Sequence, residues 1–208
     1  MDYILLISVI VLQNIAVVLD NQGVFYLTKN FNQKNIARTF ATKHQIDFSS
    51  RGFLFFAPPL LGFMLIKNNL HLILLTFSLS SLISLLTTLF QCYELNSKLH
   101  LKFKEIKISL WHIFIGVMIF SFYMYVPFYL NIISYFFKED SLWIVQLSPS
   151  LTMLSSAFVV FFLDPKLAKF IDSKNKNDSA VVMEMMMMRI IGRLFLVFIS
   201  VFIYLKFY

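Results

Sequence analysis

The run AVVMEMMMMRIIGRLFLVFISVFIYL, residues Ala180–Leu205, is apolar and long enough to cross a lipid bilayer, which takes about 20 residues of helix. Arg189 and Arg193 nevertheless lie near its middle, and Glu184 lies near its start. A charge at that depth costs roughly 2.5–3.5 kcal/mol on insertion scales and usually marks a functional site. Because Arg189 and Arg193 are four residues apart, one face of the helix carries both guanidinium groups.

The composition of the whole chain fits this interpretation. The sequence has 208 residues, of which 59% are hydrophobic and 14% are charged, and its mean hydropathy is +0.75. Several apolar runs exceed ~18 residues. These features predict an all-α, polytopic integral membrane protein that forms a single transmembrane domain. The single cysteine, Cys92, excludes a disulfide framework and a cysteine-rich metal site.

The hydrophobic runs predict six membrane-spanning helices, at residues 3–19, 46–66, 70–91, 109–130, 142–163 and 180–205. Residues 23–45 either continue the first helix or lie along the membrane interface, and the sequence leaves both possibilities open. Pro58 and Pro59 remove backbone donors inside the second span and predict a kink there, with Gly62 as a further hinge position. Pro149 predicts a similar kink in the fifth span.

Lysine and arginine residues are distributed unevenly between alternate loops. The loops after spans one, three and five carry four each, whereas the opposite side carries only Lys67, Lys138 and Lys206. Because cytoplasmic loops are enriched in Lys and Arg, this distribution predicts that both termini lie outside and that the three basic loops lie in the cytoplasm. The first run lacks a basic leader and a small-residue cleavage site, so it is predicted to be retained as a span.

Three arginines form the candidate binding site. With this orientation, Arg51 lies ~8 Å from the cytoplasmic start of the second span, and Arg189 and Arg193 lie ~12–14 Å and ~18–20 Å along the sixth. If these two spans are neighbours, the three side chains form a ladder from the cytoplasm to mid-membrane. Guanidinium groups stay charged when buried and bind phosphate oxygens in a bidentate manner. The pattern predicts a basic cavity for a phosphate or pyrophosphate headgroup on a lipid.

Nearby carboxylates offer an alternative explanation for the same charges. Asp47 lies four residues before Arg51, so this pair is able to neutralise itself, and Glu184 precedes Arg189 by five residues, which is a poorer spacing. In that case the charges are structural. The sequence leaves both explanations open.

Polar stripes on two other spans are candidates for a supporting role. Ser84 belongs to a stripe on the third span, and Thr152 belongs to a Ser/Thr-rich face of the fifth. Such stripes face protein or water, and they serve helix packing more often than substrate binding.

Other classes of site are not indicated by the sequence. The four histidines fit no metal-ligand spacing, and neither HExxH nor a phosphate-binding glycine-rich loop is present. We therefore expect no metal, no cofactor, no enzymatic activity and no nucleic-acid partner. The methionine run Met185–Met188 is more typical of adaptable core packing than of a metal site.

Three pieces of the chain resemble a known family in the same order. They are Asp20 followed by GVFYLTKNFNQKNIA at residues 23–37, SRGFLFFAPPLLG at Ser50–Gly62, and LSPSLTMLSSAFVVFFLDPKLAKFID at Leu147–Asp172 with RIIG at Arg189–Gly192. This arrangement resembles the Amj-type lipid II flippase family.

The resemblance implies a transport function. Members of that family move lipid II, the undecaprenyl-pyrophosphate-linked peptidoglycan precursor, from the inner to the outer leaflet of the bacterial cytoplasmic membrane. It therefore implies a polyprenyl pyrophosphate and membrane lipids as partners. Asp20, Arg51 and Arg189 match positions of the family, whereas Arg193 stands where a small polar residue is expected and is a candidate on physical grounds alone.

A second interpretation belongs to a different class. In a non-transporting scaffold or assembly subunit, the buried arginines would pair with carboxylates on the helices of a partner.

For a flippase, an inside-negative membrane potential favours outward movement of an anionic headgroup by ~2.3 kcal/mol per charge per 100 mV. The sequence indicates no coupling ion and leaves the oligomeric state open.

Overall fold

The computed structural model describes residues 2–29, 36–67, 69–99, 110–122, 124–148, 150–151, 153, 161, 165 and 179–207, and most of these residues are helical. No strand occurs among these residues, which confirms the all-helical class. The elements are α1 (Asp2–Lys29), α2 (Ile36–Phe55), α3 (Ala57–Ile66), α4 (Leu70–Leu99), α5 (Leu110–Ile115), a π-helix (Gly116–Ser121), α6 (Val126–Phe136), α7 (Ser141–Gln146) and α8 (Ser179–Phe207).

Four helical segments in the described ranges are long and apolar enough to cross a membrane. They are Asp2–Tyr26, Ala41–Ile66, Leu70–Leu95 and Val182–Phe207, and they correspond to the first, second, third and sixth predicted spans. The predicted fourth span is not one continuous helix, because the chain changes from α5 to the π-helix and then turns at Met124–Tyr125 before α6. Most of the predicted fifth span after α7, including Pro149 and Thr152, lies outside the described residues.

The first two helices answer the question that the sequence left open for the described part of residues 23–45, namely 23–29 and 36–45. Helix α1 continues without a break to Lys29, and α2 begins at Ile36, ten residues before the predicted second span. The extension is stabilised by packing, since Val24 is only 1% exposed and Gly23 lies against α2. Lys43, which was counted among the loop cations, is therefore a residue of α2.

The helix of the second span is interrupted next to the prolines at which the sequence predicts a kink. Helix α2 ends at Phe55, Phe56 lies in a turn, and α3 begins at Ala57 with Pro58 and Pro59 in its first turn. Proline is tolerated at the first positions of a helix because the backbone N–H groups there have no helical acceptor. Gly62 lies inside α3, which continues through it to Ile66.

Contacts between helix ends show which ends of α1, α3, α4 and α8 lie on the same side of the bundle. Lys67, which follows α3, forms an ion pair with Asp2. A ring nitrogen of His71, near the start of α4, lies 3.1 Å from the hydroxyl oxygen of Tyr204, near the end of α8. Asp2 and Tyr204 therefore lie at the same end of the bundle. Which side of the membrane this end faces stays a prediction from the loop charges.

The core between α4 and α8 is formed by sulfur-containing and small side chains. The Cys92 Sγ atom lies 3.6 Å from the Met183 Sδ atom, and Met185, Met186 and Met188 are all buried. The methionine run therefore packs in the core, as the sequence predicted. Nearer the other end, the hydroxyl oxygens of Ser81 and Ser200 lie 2.8 Å apart. Ser84 of the predicted polar stripe is buried as well, so at this residue the stripe of α4 faces protein.

Two glycines bring the π-helix and α8 into backbone contact. A Cβ atom on Gly116 would lie 2.6 Å from the carbonyl oxygen of Met188, and one on Gly192 would clash with the carbonyl oxygen of Gly116. Small residues allow such close approach between membrane helices. The contact places the Phe120 ring over the guanidinium group of Arg189.

Candidate functional site

The candidate site is a group of buried charges around the carboxylate of Asp20. Arg189 donates a hydrogen bond from Nε to Asp20 Oδ2 at 3.0 Å, and Arg193 Nη2 lies 3.7 Å from the same oxygen. The side chains of Arg189, Arg193 and Asp20 are 5%, 1% and 15% exposed. One carboxylate thus faces two guanidinium groups on successive turns of α8.

A second ion pair on α2 adjoins this group. Lys43 Nζ lies 2.8 Å from Asp47 Oδ2, and both side chains are largely buried. Gly23 makes room for the pair, because a Cβ atom there would lie 2.6 Å from Asp47 Oδ1. Lys43 interacts electrostatically with Asp20, and Asp47 does so with Arg189. We call these five residues, Asp20, Lys43, Asp47, Arg189 and Arg193, the ion cluster, and their net charge is +1.

Uncharged polar residues connect the ion cluster to α4. Arg193 Nη1 donates a hydrogen bond to Asn21 Oδ1 at 3.2 Å, and Asn21 Nδ2 donates to Gln91 Oε1 at 2.5 Å. Thr88 Oγ1 lies 3.4 Å from the same Asn21 nitrogen. All four side chains are buried. The position of the Arg193 guanidinium group is therefore fixed by α1 and α4 together.

The π-helix contributes an aromatic face to the site. The Arg189 guanidinium carbon lies 4.6 Å from the centre of the Phe120 ring. Such cation–π contacts contribute about 0.5–2 kcal/mol and are strongest where water is excluded. π-Helical turns within helices occur frequently at functional sites. Phe120 both orients Arg189 and shields one face of its guanidinium group.

Part of the donor capacity of the two arginines is unused. Arg189 Nη1, Arg193 Nε and Arg193 Nη2 are buried and have no hydrogen-bond acceptor among the residues that the structure describes. A buried donor without an acceptor costs about 1–3 kcal/mol, and more when it is charged. Together with the surplus positive charge, these donors form a site whose chemistry suits an anion with several oxygen atoms.

Arg51 lies on a different feature. It lines a cleft of about 520 Å³ whose other walls include Phe55, Pro58, Pro59, Met124 and Pro127. Among the described residues that line it, the polar ones besides Arg51 are Gln146 and Ser148, so this part of the lining is mainly apolar. A cleft with one guanidinium group and apolar walls suits an amphiphile with an anionic head.

The predicted ladder of three arginines needs correction. It required the second and sixth spans to be neighbours, but α2 packs mainly on α1, whereas α8 packs mainly on α4 and the π-helix. The cation that α2 contributes to the ion cluster is Lys43. Arg189 and Arg193 do lie together as predicted, and their partner is Asp20.

The remaining predicted residues are placed as follows. Asp47 pairs with Lys43, and Glu184 lies half-buried on α8 before Arg189, whose ion pair is with Asp20. Ser84 is buried, and its hydroxyl donates to the carbonyl oxygen of Ser81 at 2.8 Å, which is a packing role within α4. Thr152 and Pro149 lie outside the described residues.

Sequence reasoning missed three residues of the site, and two of them carried a usable signal. Lys43 precedes Asp47 by four residues, which is the spacing of a helical ion pair. It was assigned to a loop because the second span was predicted to begin only at residue 46. Gln91 lies seven residues after Ser84, on the same polar stripe of the third span, but the sequence indicates no partner for it. Asn21 directly follows Asp20, and nothing in the sequence distinguishes it from a surface residue.

Comparisons of the chain with protein-family models, with curated proteins and with solved structures give no match. Among the described residues, no group of three His, Cys, Asp or Glu side chains is placed to hold a metal ion. The fold and the site define an all-helical protein with four helices able to cross a membrane and a buried ion cluster of net positive charge.

Proposed function

We propose that this protein is a lipid flippase of the bacterial cytoplasmic membrane that moves an undecaprenyl-pyrophosphate-linked peptidoglycan precursor, lipid II, from the inner to the outer leaflet. The observation that carries this proposal is the buried pair Arg189 and Arg193, which Asp20 neutralises only in part. Three of their nitrogen atoms lack acceptors among the described residues. A pyrophosphate supplies both the negative charge and the oxygen atoms.

The geometry of the two arginines favours a phosphate group over a simple monovalent anion. They are one helical turn apart, about 6 Å along the axis of α8, so two adjoining phosphate groups can each meet one guanidinium group. Each guanidinium group presents a planar set of donors that matches phosphate oxygens. The charges lie inside the bundle, where bulk water hydrates them only weakly. Hydrogen bonds between the guanidinium groups and phosphate oxygens are therefore stronger there than in water.

The cleft at Arg51 supports a lipid as the carrier of that headgroup. Its walls are mainly apolar, and Pro58 and Pro59, which set the kink between α2 and α3, form part of them. In the proposed mechanism, Arg189 and Arg193 hold the pyrophosphate, and the apolar cleft at Arg51 accommodates part of the lipid. Movement at the kink opens the route, and the membrane potential favours the outward direction.

The resemblance to the Amj-type family supports the same proposal through Asp20, Arg51 and Arg189. The alternative, a scaffold whose buried arginines pair with carboxylates of a partner, is favoured less. Its main requirement was an external carboxylate, and the chain's own Asp20 already contacts both arginines.

Complementation tests the proposed function. Cells depleted of their own lipid II flippase are expected to grow when they express this chain, and to stop growing with the Arg189→Gln variant. The Lys138→Gln variant removes an exposed cation instead and is expected to support growth like the wild type. Failure of the wild-type chain to support growth, although it is stable and inserted in the membrane, would count against a flippase.

A further inference from the structure

The two arginines of the ion cluster differ in which edge of the guanidinium group is free. The edge formed by Nε and Nη2 carries two parallel N–H groups and suits bidentate binding of a phosphate. On Arg189 this edge is occupied, because Nε donates to Asp20 Oδ2 at 3.0 Å. On Arg193 both nitrogen atoms of the edge are buried without an acceptor among the described residues, since Nη2 lies 3.7 Å from Asp20 Oδ2, beyond hydrogen-bond distance. Arg193 therefore presents this edge intact.

An uncharged residue holds the third nitrogen atom of the Arg193 guanidinium group. Nη1 donates to Asn21 Oδ1 at 3.2 Å, the hydrogen bond that fixes this side chain within the described part of the protein. The amide nitrogen of Asn21 donates to Gln91 Oε1 of α4 at 2.5 Å and lies 3.4 Å from Thr88 Oγ1. Because the amide nitrogen is bound there, the amide oxygen is left for Arg193. Asn21 thus sets the direction in which Arg193 presents its free edge.

The surplus positive charge of the ion cluster lies mainly on the same arginine. The Asp20 carboxylate accepts a hydrogen bond from Arg189. The Asp47 carboxylate accepts one from Lys43, so Arg193 is the cation whose hydrogen-bond partner is an amide. A carboxylate partner offsets the charge of a guanidinium group, whereas an amide partner accepts the hydrogen bond and leaves the charge available to a ligand. The free edge and the least compensated charge therefore coincide on Arg193.

We propose that Arg193 is the main phosphate-binding group of the ion cluster and that Asn21 is the positioning residue that presents it without neutralising it. One phosphate group of the ligand binds Arg193 through Nε and Nη2, and the unpartnered Nη1 of Arg189 is available to the second. Asp20 stays on Arg189 throughout. This inference rests on the proposed function, because it assumes a phosphate-bearing ligand. It assigns the larger share of binding to the arginine that the family resemblance did not indicate.

The Asn21→Asp variant tests the inference, because it changes the charge of the positioning residue and keeps its shape. The new carboxylate still accepts from Arg193 Nη1, and Gln91 can turn its amide so that the nitrogen donates to it. Titration calorimetry of the purified full-length protein in detergent micelles, with farnesyl pyrophosphate as the probe, measures the affinity. Asn21→Asp is expected to bind the probe about 10–100-fold more weakly than the wild type, because Arg193 is then neutralised. Its unfolding temperature is expected to stay near that of the wild type, since the carboxylate offsets a surplus buried charge.

The matched control, Asn69→Asp, makes the same chemical change at the end of the bundle where Lys67 meets Asp2. Asn69 Oδ1 accepts a hydrogen bond from the backbone N–H of Leu72 at 3.0 Å, at the start of α4. Aspartate serves this capping role equally well, so the control is expected to fold and to bind the probe like the wild type.

A second variant, Asn21→Ser, covers the case in which Asn21→Asp does not fold. Serine is neutral and shorter, so Arg193 keeps its charge but loses the hydrogen bond that directs its free edge. The affinity for farnesyl pyrophosphate is expected to fall by about 2–10-fold, the effect of one ordinary hydrogen bond.

Each outcome has a defined meaning. A merely structural Asn21 would change the unfolding temperature and leave the affinity of the folded protein unchanged. Wild-type affinity in a folded Asn21→Asp, or in a folded Asn21→Ser, therefore overturns the inference and leaves the flippase proposal standing. An equal loss of affinity in Asn69→Asp also overturns it, since the effect would then not depend on Arg193. A wild type that does not bind the probe contradicts the proposed function itself, and the inference with it.

Discussion

Removing either partner of the Asp20–Arg189 pair is expected to destabilise the protein by unequal amounts. Asp20→Asn leaves two buried guanidinium groups without a carboxylate, and loss of one partner from a buried pair costs about 3–5 kcal/mol. Arg189→Gln leaves Asp20 with Arg193, whose Nη2 atom is 3.7 Å away, so only a charged hydrogen bond is lost, about 1.5–3 kcal/mol. The aspartate variant is therefore expected to be the less stable of the two.

The double variant tests whether the two side chains act as a pair. Residues in one ion-pair network show interaction energies of about 0.5–3 kcal/mol. The double variant, Asp20→Asn with Arg189→Gln, is therefore expected to lose less free energy of unfolding than the two single variants lose together. Reversible unfolding of the detergent-solubilised protein, followed by circular dichroism in mixed micelles, gives the four free energies of unfolding. Additive single effects, or a larger loss for Arg189→Gln than for Asp20→Asn, would refute the arrangement around Asp20.

Two further predictions concern the contact between the π-helix and α8. Gly192→Ala is expected to destabilise the protein by about 1–3 kcal/mol, since its Cβ would clash with the backbone of Gly116. In the control Gly52→Ala, the new Cβ meets nothing within 4 Å and replaces a helical glycine, so a gain of about 0.5–1 kcal/mol is expected in the same unfolding assay. Phe120→Leu is expected to lower stability by about 0.5–2 kcal/mol through loss of the cation–π contact, in addition to any loss of packing, and the cation–π part should disappear in an Arg189→Gln background. Equal effects of Gly192→Ala and Gly52→Ala, or of Phe120→Leu in both backgrounds, would contradict the contact.

The parts of the fold that the sequence predicted are those set by local physics. Apolar length identified four segments that can cross a membrane, and the chemistry of Pro58 and Pro59 located the break before α3. Helical spacing placed Arg189 and Arg193 on one face of α8, where they meet Asp20. Each of these features depends on neighbouring residues alone.

The features that the sequence did not predict depend on contacts between distant segments. Arg189 and Asp20 are 169 residues apart in the chain, so their pairing follows from how α1 and α8 pack and not from any spacing. The π-helix in the predicted fourth span, which Gly116 allows to approach α8, was likewise not predicted. Pro127, in the first turn of α6, was a local signal for the break before that helix and went unused.

The start of the second helix was predicted too late for a physical reason. Residues 36–45 are semi-polar, and the polarity of Lys43 resembles that of a loop. In the structure Lys43 is 4% exposed, because Asp47 on the next turn neutralises its charge. Hydropathy cannot recognise a buried cation whose counterion lies on the same helix.

Transport measured directly in vesicles tests the central claim, that Arg189 and Arg193 hold a pyrophosphate during its passage across the membrane. The protein is reconstituted into liposomes with a fluorescent polyprenyl-pyrophosphate lipid, and an impermeant quencher reports the fraction in the outer leaflet. The wild type is expected to flip the lipid, and Arg189→Lys is expected to slow it by about 10–100-fold, because the charge remains but the bidentate hydrogen bonds do not. Lys138→Arg is the matched control and should match the wild type. Flipping by a folded Arg189→Lys variant at the wild-type rate would contradict the account.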